Sequence, residues 1–101
     1  MTEADRVSQL VAALKGKHPA VRSESAWALG EIGPAAAAAV PALTEALKDG
    51  DAGMCYQAAW ALGRVGPSAA AAVPALTEAL KDKDATVRAA ATVALSEIKK
   101  D

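Results

Sequence analysis

The sequence predicts an all-α solenoid, a superhelix of about three helix-pair repeats with about six helices. Ala supplies 28 of the 101 residues, and Ala is the residue that most favours a helix. Nowhere do β-branched and polar residues alternate over the length of a strand, so no sheet is expected. The segment GPAAAAAVPALTEALKD at 33–49 returns as GPSAAAAVPALTEALKD at 66–82, an offset of 33 residues. A fixed period of this kind is typical of helical repeats that stack into a solenoid.

The three units are expected to form one domain, with boundaries at about 1–32, 33–65 and 66–101. The repeat is nearly exact over part of its length, since 21 of 25 aligned positions are identical between 26–50 and 59–83. The first unit matches the other two less closely. Because Phe is absent, we expect a core of Leu, Val and Ala with the helix backbones packed close together.

The first helix of each unit carries a predicted start or bend. Thr2 and Asp5 resemble a capping box, with Asp in place of the usual Glu or Gln. In the later units Pro41 and Pro74 fall inside the first helix, so we expect a kink there, or a short helical turn before the main helix. Ser8 occupies that position in the first unit, whose first helix should therefore be straighter.

The second helices follow short polar links. Asp51 and Asp84 are predicted N-caps, and Pro19 suits the first turn of its helix. Gly33 and Gly66, each followed by Pro, suit the position just after a helix end. The predicted last residues of the three second helices are Ile32, Val65 and Ile98.

A helical wheel divides each second helix into a buried side and an outward side. Trp60 and Tyr56 lie on the outward side, as does Trp27 at the position equivalent to Trp60. We expect Trp27, Trp60 and Val93 to stand side by side as three rungs. The predicted buried stripes are Val21, Ala28, Leu29 and Ile32 in the first unit; Met54, Ala58, Ala61, Leu62 and Val65 in the second; and Val87, Ala91, Ala94, Leu95 and Ile98 in the third.

Three motifs recur along the chain: VPALTEALKD at 40–49 and 73–82, Val-Arg at 21–22 and 87–88, and A-L-G-x-[IV]-G at 28–33 and 61–66. Together they resemble HEAT repeats, specifically the short HEAT-like repeats of the phycobilisome lyase type. The resemblance implies a right-handed stack of antiparallel helix pairs, with the first helices on the convex side. The second helices would form the concave side, which usually binds the partner.

The resemblance also implies a role for Arg22 and Arg88, which would bind the acidic link between the helices. Cys55 stands at the equivalent position of the second unit. We therefore expect that unit to lack the tie, and its second helix to start more loosely, with Gly53 adding to the effect. A lone Cys at the edge of a buried stripe is usually a small apolar residue, and no His or Lys beside it would activate the thiol.

The predicted partner-binding residues occupy the outward side of the second helices. Exposed aromatic side chains with a polar rim are typical of an interaction surface. The alternative is local packing, in which the Trp rings fold flat over neighbouring small residues and Gly30 and Gly63 make room for them. The residues of this predicted surface are Trp27, Tyr56, Trp60, Arg64, Glu31, Gln57, Ser23 and Val93.

Several kinds of site are not expected. A single Cys and a single His make a zinc cluster implausible, and His18 is expected to be a solvated loop residue. There is no nucleophile–His–acid set and no Gly-rich phosphate loop, so we predict neither catalytic residues nor a cofactor. The formal charge of −1, with both signs interspersed, argues against strong nucleic-acid binding. No signal peptide or membrane-length Leu/Ile/Val run is visible, so a cytoplasmic protein is expected.

The two ends of the stack are expected to differ, since stacked repeats expose an apolar flank unless polar residues cap it. Unit three reads as poorly capped because its outer flank contains Ala89-Ala90-Ala91. Unit one reads as partly capped by polar residues. These are Asp5, Arg6, Gln9, Ser23, Glu24 and Ser25.

The sequence therefore predicts a non-enzymatic protein-interaction or scaffolding module that binds a protein partner or a second copy of itself. Two other functions stay open. One is an accessory subunit of a bilin lyase-type or other HEAT-repeat enzyme, suggested only by the name of the repeat family. The other is a nucleic-acid-binding HEAT-like protein, which the balanced charge disfavours.

Overall fold

A computed structural model describes residues 1–100, which contain helices and turns but no strand. The α-helices are α1 (Glu3–Leu14), α2 (Pro19–Ile32), α3 (Val40–Ala46), α4 (Ala52–Val65), α5 (Val73–Ala79) and α6 (Ala85–Ile98). Two 3₁₀ segments, Gly33–Ala39 and Gly66–Ala72, join α2 to α3 and α4 to α5. The all-α repeat fold predicted from the sequence is confirmed.

The number of separate helices differs from the expectation of about six. The 3₁₀ segments leave no gap, so residues 1–100 form four continuous helical runs, at 3–14, 19–46, 52–79 and 85–98. The two long runs bend at Gly33 and Gly66, whose φ angles of 76° and 82° are readily adopted only by glycine. A short helical segment does precede the proline-containing helix in these units, as predicted.

The predicted helix starts are confirmed by their hydrogen bonds. The Thr2 hydroxyl accepts from the backbone N–H of Asp5, and the Asp5 carboxylate accepts from the backbone N–H of Thr2, both at 3.1 Å. Asp51 accepts from the N–H of Gly53 at 2.9 Å. Asp84 accepts from the N–H of Thr86 at 2.8 Å, and hydrogen bonds from the Thr86 side chain and backbone lower the pKa of the Asp84 carboxyl.

The helices form a two-layered slab that measures 38 × 34 × 17 Å. The second helices α2, α4 and α6 lie side by side in one layer, and each packs against the first helix of its own unit. The side chains between the layers form the core, in which Leu29, Leu43, Leu62 and Leu76 are completely buried. The core is thus built from aliphatic residues, as the composition predicts.

The buried stripes of the second and third units are confirmed, but that of the first unit is partly wrong. Val21 is 43% exposed, whereas the equivalent Met54 is 4% exposed. Ala28 and Ile32 are half-buried, since within residues 1–100 no other unit packs against this side of α2. The N-terminal flank is therefore more apolar than its predicted polar cap suggests, and Ser25 is itself buried.

The C-terminal flank also differs from the expectation of an Ala-rich, poorly capped surface. Ala89 is exposed as predicted, but Ala90 and Ala91 are buried against the rest of the slab. The flank instead exposes Thr92 and Ser96, whose equivalents Ala59 and Gly63 are buried inside the stack. Polar side chains thus stand at positions that another unit would otherwise cover, although Leu80 is exposed there as well.

One helical run is long and apolar enough to cross a membrane by length and composition alone, although no such run was expected. Pro19–Ala46 has 28 residues, and its most apolar stretch has a mean hydropathy of 1.2. Half of that stretch is buried within the protein, and the run bends at Gly33. The buried apolar side chains of this run, such as Leu29 and Leu43, belong to the core of the slab.

A groove between α4 and α6

A groove of about 730 Å³ opens between α4 and α6 on the outer side of the second-helix layer. We call it the α4–α6 groove. Its floor contains buried small residues, and its walls are larger, more exposed side chains. The floor residues are Gly63, Ala90 and Ala94; the wall residues are Tyr56, Trp60 and Val93; and the charged residues at the edge are Arg64, Glu97 and Lys100.

The equivalent gap between α2 and α4 is filled by the ring of Trp60. A Cβ atom added at Gly30 would lie only 2.3 Å from Cζ3 of that ring, so the indole lies directly over Gly30. In the next gap, 33 residues further on, Val93 replaces Trp60 and Gly63 replaces Gly30. The smaller side chain leaves Gly63 facing an open groove. For Trp60, the local-packing alternative therefore holds in part, because this ring is half-buried against the core.

Two further replacements widen the groove. Tyr56 and Gln57 on α4 correspond to Ala89 and Ala90 on α6. Both alanines line the groove. Three large residues of α4 are thus replaced by smaller ones at the equivalent positions of α6.

The floor of the groove is closed because the two helices touch. A Cβ atom at Gly63 would lie 2.9 Å from Cα and 3.3 Å from Cβ of Ala94. Such a close approach of backbones needs glycine on one side. The groove is therefore a surface depression above two packed helices, with no channel between them.

Of the three charged residues at the edge of the groove, two form a salt bridge with each other and one does not. Lys100 and Glu97 form a salt bridge at 3.1 Å. Arg64 forms no salt bridge with any residue in 1–100, and its guanidinium carbon lies 5.8 Å from the centre of the Trp60 ring. At this distance a cation interacts favourably with the face of an aromatic ring. Arg64 thus keeps an unpaired positive charge beside the aromatic wall.

The predicted surface residues separate into two cavities. Tyr56, Trp60, Arg64 and Val93 line the α4–α6 groove. A second cavity of about 360 Å³ contains Trp27 and Glu31 from α2, together with Glu3 and Arg6 from α1. Ser23 and Gln57 are half-buried and line neither cavity. Trp27, Tyr56 and Val93 are 52%, 40% and 60% exposed.

Sequence reasoning missed most of the small residues that shape the groove. Pro34, Gly66 and Pro67 reach it from the 3₁₀ bends, and Gly63 and Ala94 form part of its floor. The groove itself could have been predicted by aligning the repeats, because the alignment shows Val93 where the other two units have Trp.

The arginines expected to hold the inter-helix links do so. Arg22 donates from Nε to the carbonyl oxygen of Leu14 at 3.1 Å, and its Nη2 contacts the Asp49 carboxylate of the next unit at 2.6 Å. Arg88 donates from Nη1 to the carbonyl oxygen of Asp82 at 2.7 Å. These bonds satisfy carbonyl groups at the ends of first helices.

The expectation that Cys55 leaves its unit without such a tie is wrong. Its Sγ lies 2.9 Å from the carbonyl oxygen of Asp49 and 3.3 Å from that of Leu47, so the thiol can donate to either. These two carbonyls are the repeat equivalents of those bound by the arginines. Burial, followed by the charges of Asp82, Asp49 and Asp51, raises the pKa of the Cys55 thiol. The site therefore favours the protonated donor over a reactive thiolate.

No cluster of three or more His, Cys, Asp and Glu residues that could hold a metal ion occurs within residues 1–100. The candidate binding features of residues 1–100 are the α4–α6 groove and the exposed Trp27, both on the second-helix layer.

Comparison with known proteins extends the description of the repeats. The family model for HEAT repeats matches residues 7–96. Among solved structures, the crystal structure of an engineered protein, a structural genomics target, is similar with a TM-score of 0.79 and 25% sequence identity over 97% of this chain. The chain spans 46% of the length of that engineered protein. No curated protein matches the sequence.

Proposed function

Because the chain belongs to the HEAT repeat family, we propose that it is a non-enzymatic protein-interaction module that binds its partner in the α4–α6 groove. The observation that carries the proposal is the groove itself, which is walled by Tyr56, Trp60 and Val93 on the second-helix layer. The expected occupant is a protein segment with an exposed aromatic side chain and a carboxylate one helical turn further along.

The aromatic part of this occupant follows from the repeat. In the gap between α2 and α4 an indole ring covers Gly30, whereas at Gly63 the backbone of Ala94 takes that place and the groove stays open above it. An aromatic ring from a partner would lie in this groove against its floor of small residues. Buried aromatic anchors of this kind supply much of the binding energy at protein interfaces.

The carboxylate follows from Arg64. This side chain stands one turn beyond Trp60 at the edge of the groove and has no acidic partner within residues 1–100. A carboxylate placed there would form a charge-assisted pair with the guanidinium. Its main effect would be on orientation and association rate, because pairs at an exposed edge contribute little affinity.

The motifs VPALTEALKD and A-L-G-x-[IV]-G support the narrower assignment to the phycobilisome lyase type of repeat. That likeness concerns the repeat unit and carries no activity with it, so we propose a binding role without enzymatic function, in the cytoplasm. Nucleic acid is a poorer fit to the groove because Glu97 stands at its edge beside the two basic residues Arg64 and Lys100.

Val93→Trp tests the proposal, because Val93 lines the groove and the larger indole is expected to fill it. The probe is a labelled helical peptide with Trp and, four residues later, Glu, titrated by fluorescence anisotropy. We expect binding to the parent chain and a loss of about tenfold or more in the Val93→Trp variant. A peptide with Ala in place of Trp should bind neither protein.

Thr92→Trp is the matched control. It adds the same side chain at the neighbouring residue, which is exposed on the C-terminal flank and does not line the groove. This variant should bind the peptide like the parent chain. At a protein concentration at which the chain is monomeric, equal binding by the parent chain and the Val93→Trp variant, or no binding by the parent chain, would contradict the proposed function.

A further inference from the structure

We propose that the partner in the α4–α6 groove is a second copy of this chain, so that the protein forms a symmetric dimer. Trp27 of each copy lies in the groove of the other, and Glu31 meets Arg64. This inference rests on the proposed function because it uses the same groove. It adds the identity of the occupant and the symmetry of the complex.

Trp27 has the chemistry that the groove requires. It is 52% exposed on α2, which is the first helix of its layer. The equivalent Trp60 covers Gly30 on the helix before it, whereas within residues 1–100 no helix of this layer stands before α2 and Trp27 covers no such glycine. Within one copy, therefore, a half-exposed Trp stands at one side of the layer, and a groove that no indole of the chain fills stands at the other.

The charges beside these two features are complementary. Glu31 and Arg64 occupy equivalent positions, 33 residues apart, yet carry opposite charges. Glu31 stands one helical turn beyond Trp27, as Arg64 stands one turn beyond Trp60. Neither residue forms a salt bridge within residues 1–100. The Glu97 carboxylate at the edge of the groove is paired with Lys100, so Arg64 is the charge there that a Glu31 from a second copy would pair with.

A two-fold axis parallel to the helices brings these groups together twice. Because each unit repeats the path of the previous one, α2, α4 and α6 run in the same direction. A half-turn about an axis parallel to these helices places the second-helix layers of the two copies face to face. The helices of both copies then run in the same direction, but their order across the layer is reversed in the second copy. Trp27 then faces the opposite groove, and Glu31 stays at the level of Arg64.

The size of the layer is sufficient for such a dimer. The slab measures 38 × 34 Å in its own plane. A standard protein interface buries roughly 800 Å² on each partner, which is less than this face provides. An interface of this type uses the same surface on both copies and closes at two. End-to-end stacking, by contrast, would have to bury the polar Thr92 and Ser96 of the C-terminal flank.

The oligomeric state, measured by sedimentation equilibrium at about 1–200 µM, tests the inference. We expect a dimer for the parent chain, and a dissociation constant raised about tenfold or more by Trp27→Ala and by Val93→Trp. Thr92→Trp should remain dimeric. Circular dichroism of each variant shows whether a loss of dimer reflects a loss of fold. Trp27→Ala and Val93→Trp change different helices, which lie on opposite sides of the same proposed contact.

A charge exchange tests the register of the dimer. Glu31→Arg and Arg64→Glu should each weaken the dimer, because each places like charges together, and the double variant should restore it. A parent chain that is monomeric over the whole range, that grows beyond a dimer, or whose double variant is no more dimeric than the single variants would overturn the inference.

The peptide titration separates this inference from the proposed function. It is performed on the Trp27→Ala background, in which the groove is not occupied by a second copy. Peptide binding together with a monomeric parent chain keeps the proposed function and overturns the dimer. Loss of both peptide binding and dimerisation overturns both proposals.

Discussion

Gly63→Ala is expected to destabilise the protein because it pushes α4 away from α6. The added Cβ atom would lie 2.9 Å from Cα and 3.3 Å from Cβ of Ala94. Carbon atoms pack best at about 3.5–4.0 Å, and the nearer contact here is with a backbone atom that cannot rotate away. Overpacking of this kind costs about 1–3 kcal/mol, against about 1 kcal/mol gained by replacing Gly with Ala in a helix.

Gly53→Ala is the matched control, since it makes the same change in the same helix without the collision. The nearest atom to its added Cβ, Oδ1 of Asp51, lies at an ordinary contact distance of 3.4 Å. Both variants gain helix propensity, so the difference between them isolates the collision at about 1–3 kcal/mol. For a chain of this length, each kcal/mol changes Tm by about 4–8 °C.

Thermal and urea unfolding, followed by circular dichroism, measures this difference. The protein concentration must be the same for both variants because association also changes Tm. We expect Gly63→Ala to melt at least about 4 °C below Gly53→Ala. If the two variants melt at the same temperature, or if Gly63→Ala is the more stable, the close approach of α4 and α6 is not a constraint on this fold and the reasoning is wrong.

Two further predictions concern the links between the helices. The Cys55 thiol, buried and surrounded by carboxylates that raise its pKa, should react with a disulfide reagent about tenfold or more slowly than free cysteine at neutral pH, and denaturant should remove the difference. The pKa of the Asp49 carboxyl is held below its ordinary value of 3.8, first by the hydrogen bond from the backbone N–H of Asp51 and second by the one from Arg22. The stability that Asp49 contributes is therefore fully present above pH 3.8 and is lost as the pH falls through the lowered pKa. Asp49→Asn should therefore lower the free energy of unfolding by about 1 kcal/mol at pH 7, and this deficit should vanish in strong acid; a deficit that persists unchanged there would contradict the assignment.

The elements that sequence reasoning predicted well depend on local interactions. Asp51 and Asp84 cap their helices through N–H groups two or three residues away, and Gly33 and Gly66 end theirs through their own backbone conformation. The bends before the proline-containing helices are local in the same sense. The separation into six helices failed because a 3₁₀ segment keeps the chain helical across the predicted break.

The candidate site could be predicted only in part. The outward side of the second helices follows from their periodicity, so Trp27, Tyr56 and Val93 were correctly expected to be exposed. Periodicity does not say onto which neighbour a long side chain folds, and the half-burial of Trp60 over Gly30 depends on the adjacent helix. Cys55 is a similar case, since its acceptors lie six and eight residues earlier, across the link.

The sequence by itself determined the period, the helix starts and the aliphatic core, because each depends on residue type and on neighbours within one or two helical turns. Only the tertiary structure decided which gap between second helices is filled and which is open. A ring can cover a glycine only if stacking brings the two helices together, and a residue such as Val21 is buried only if another unit stands before it. The α4–α6 groove is thus a property of two adjacent units, created where Val93 replaces the residue that fills the gap before it.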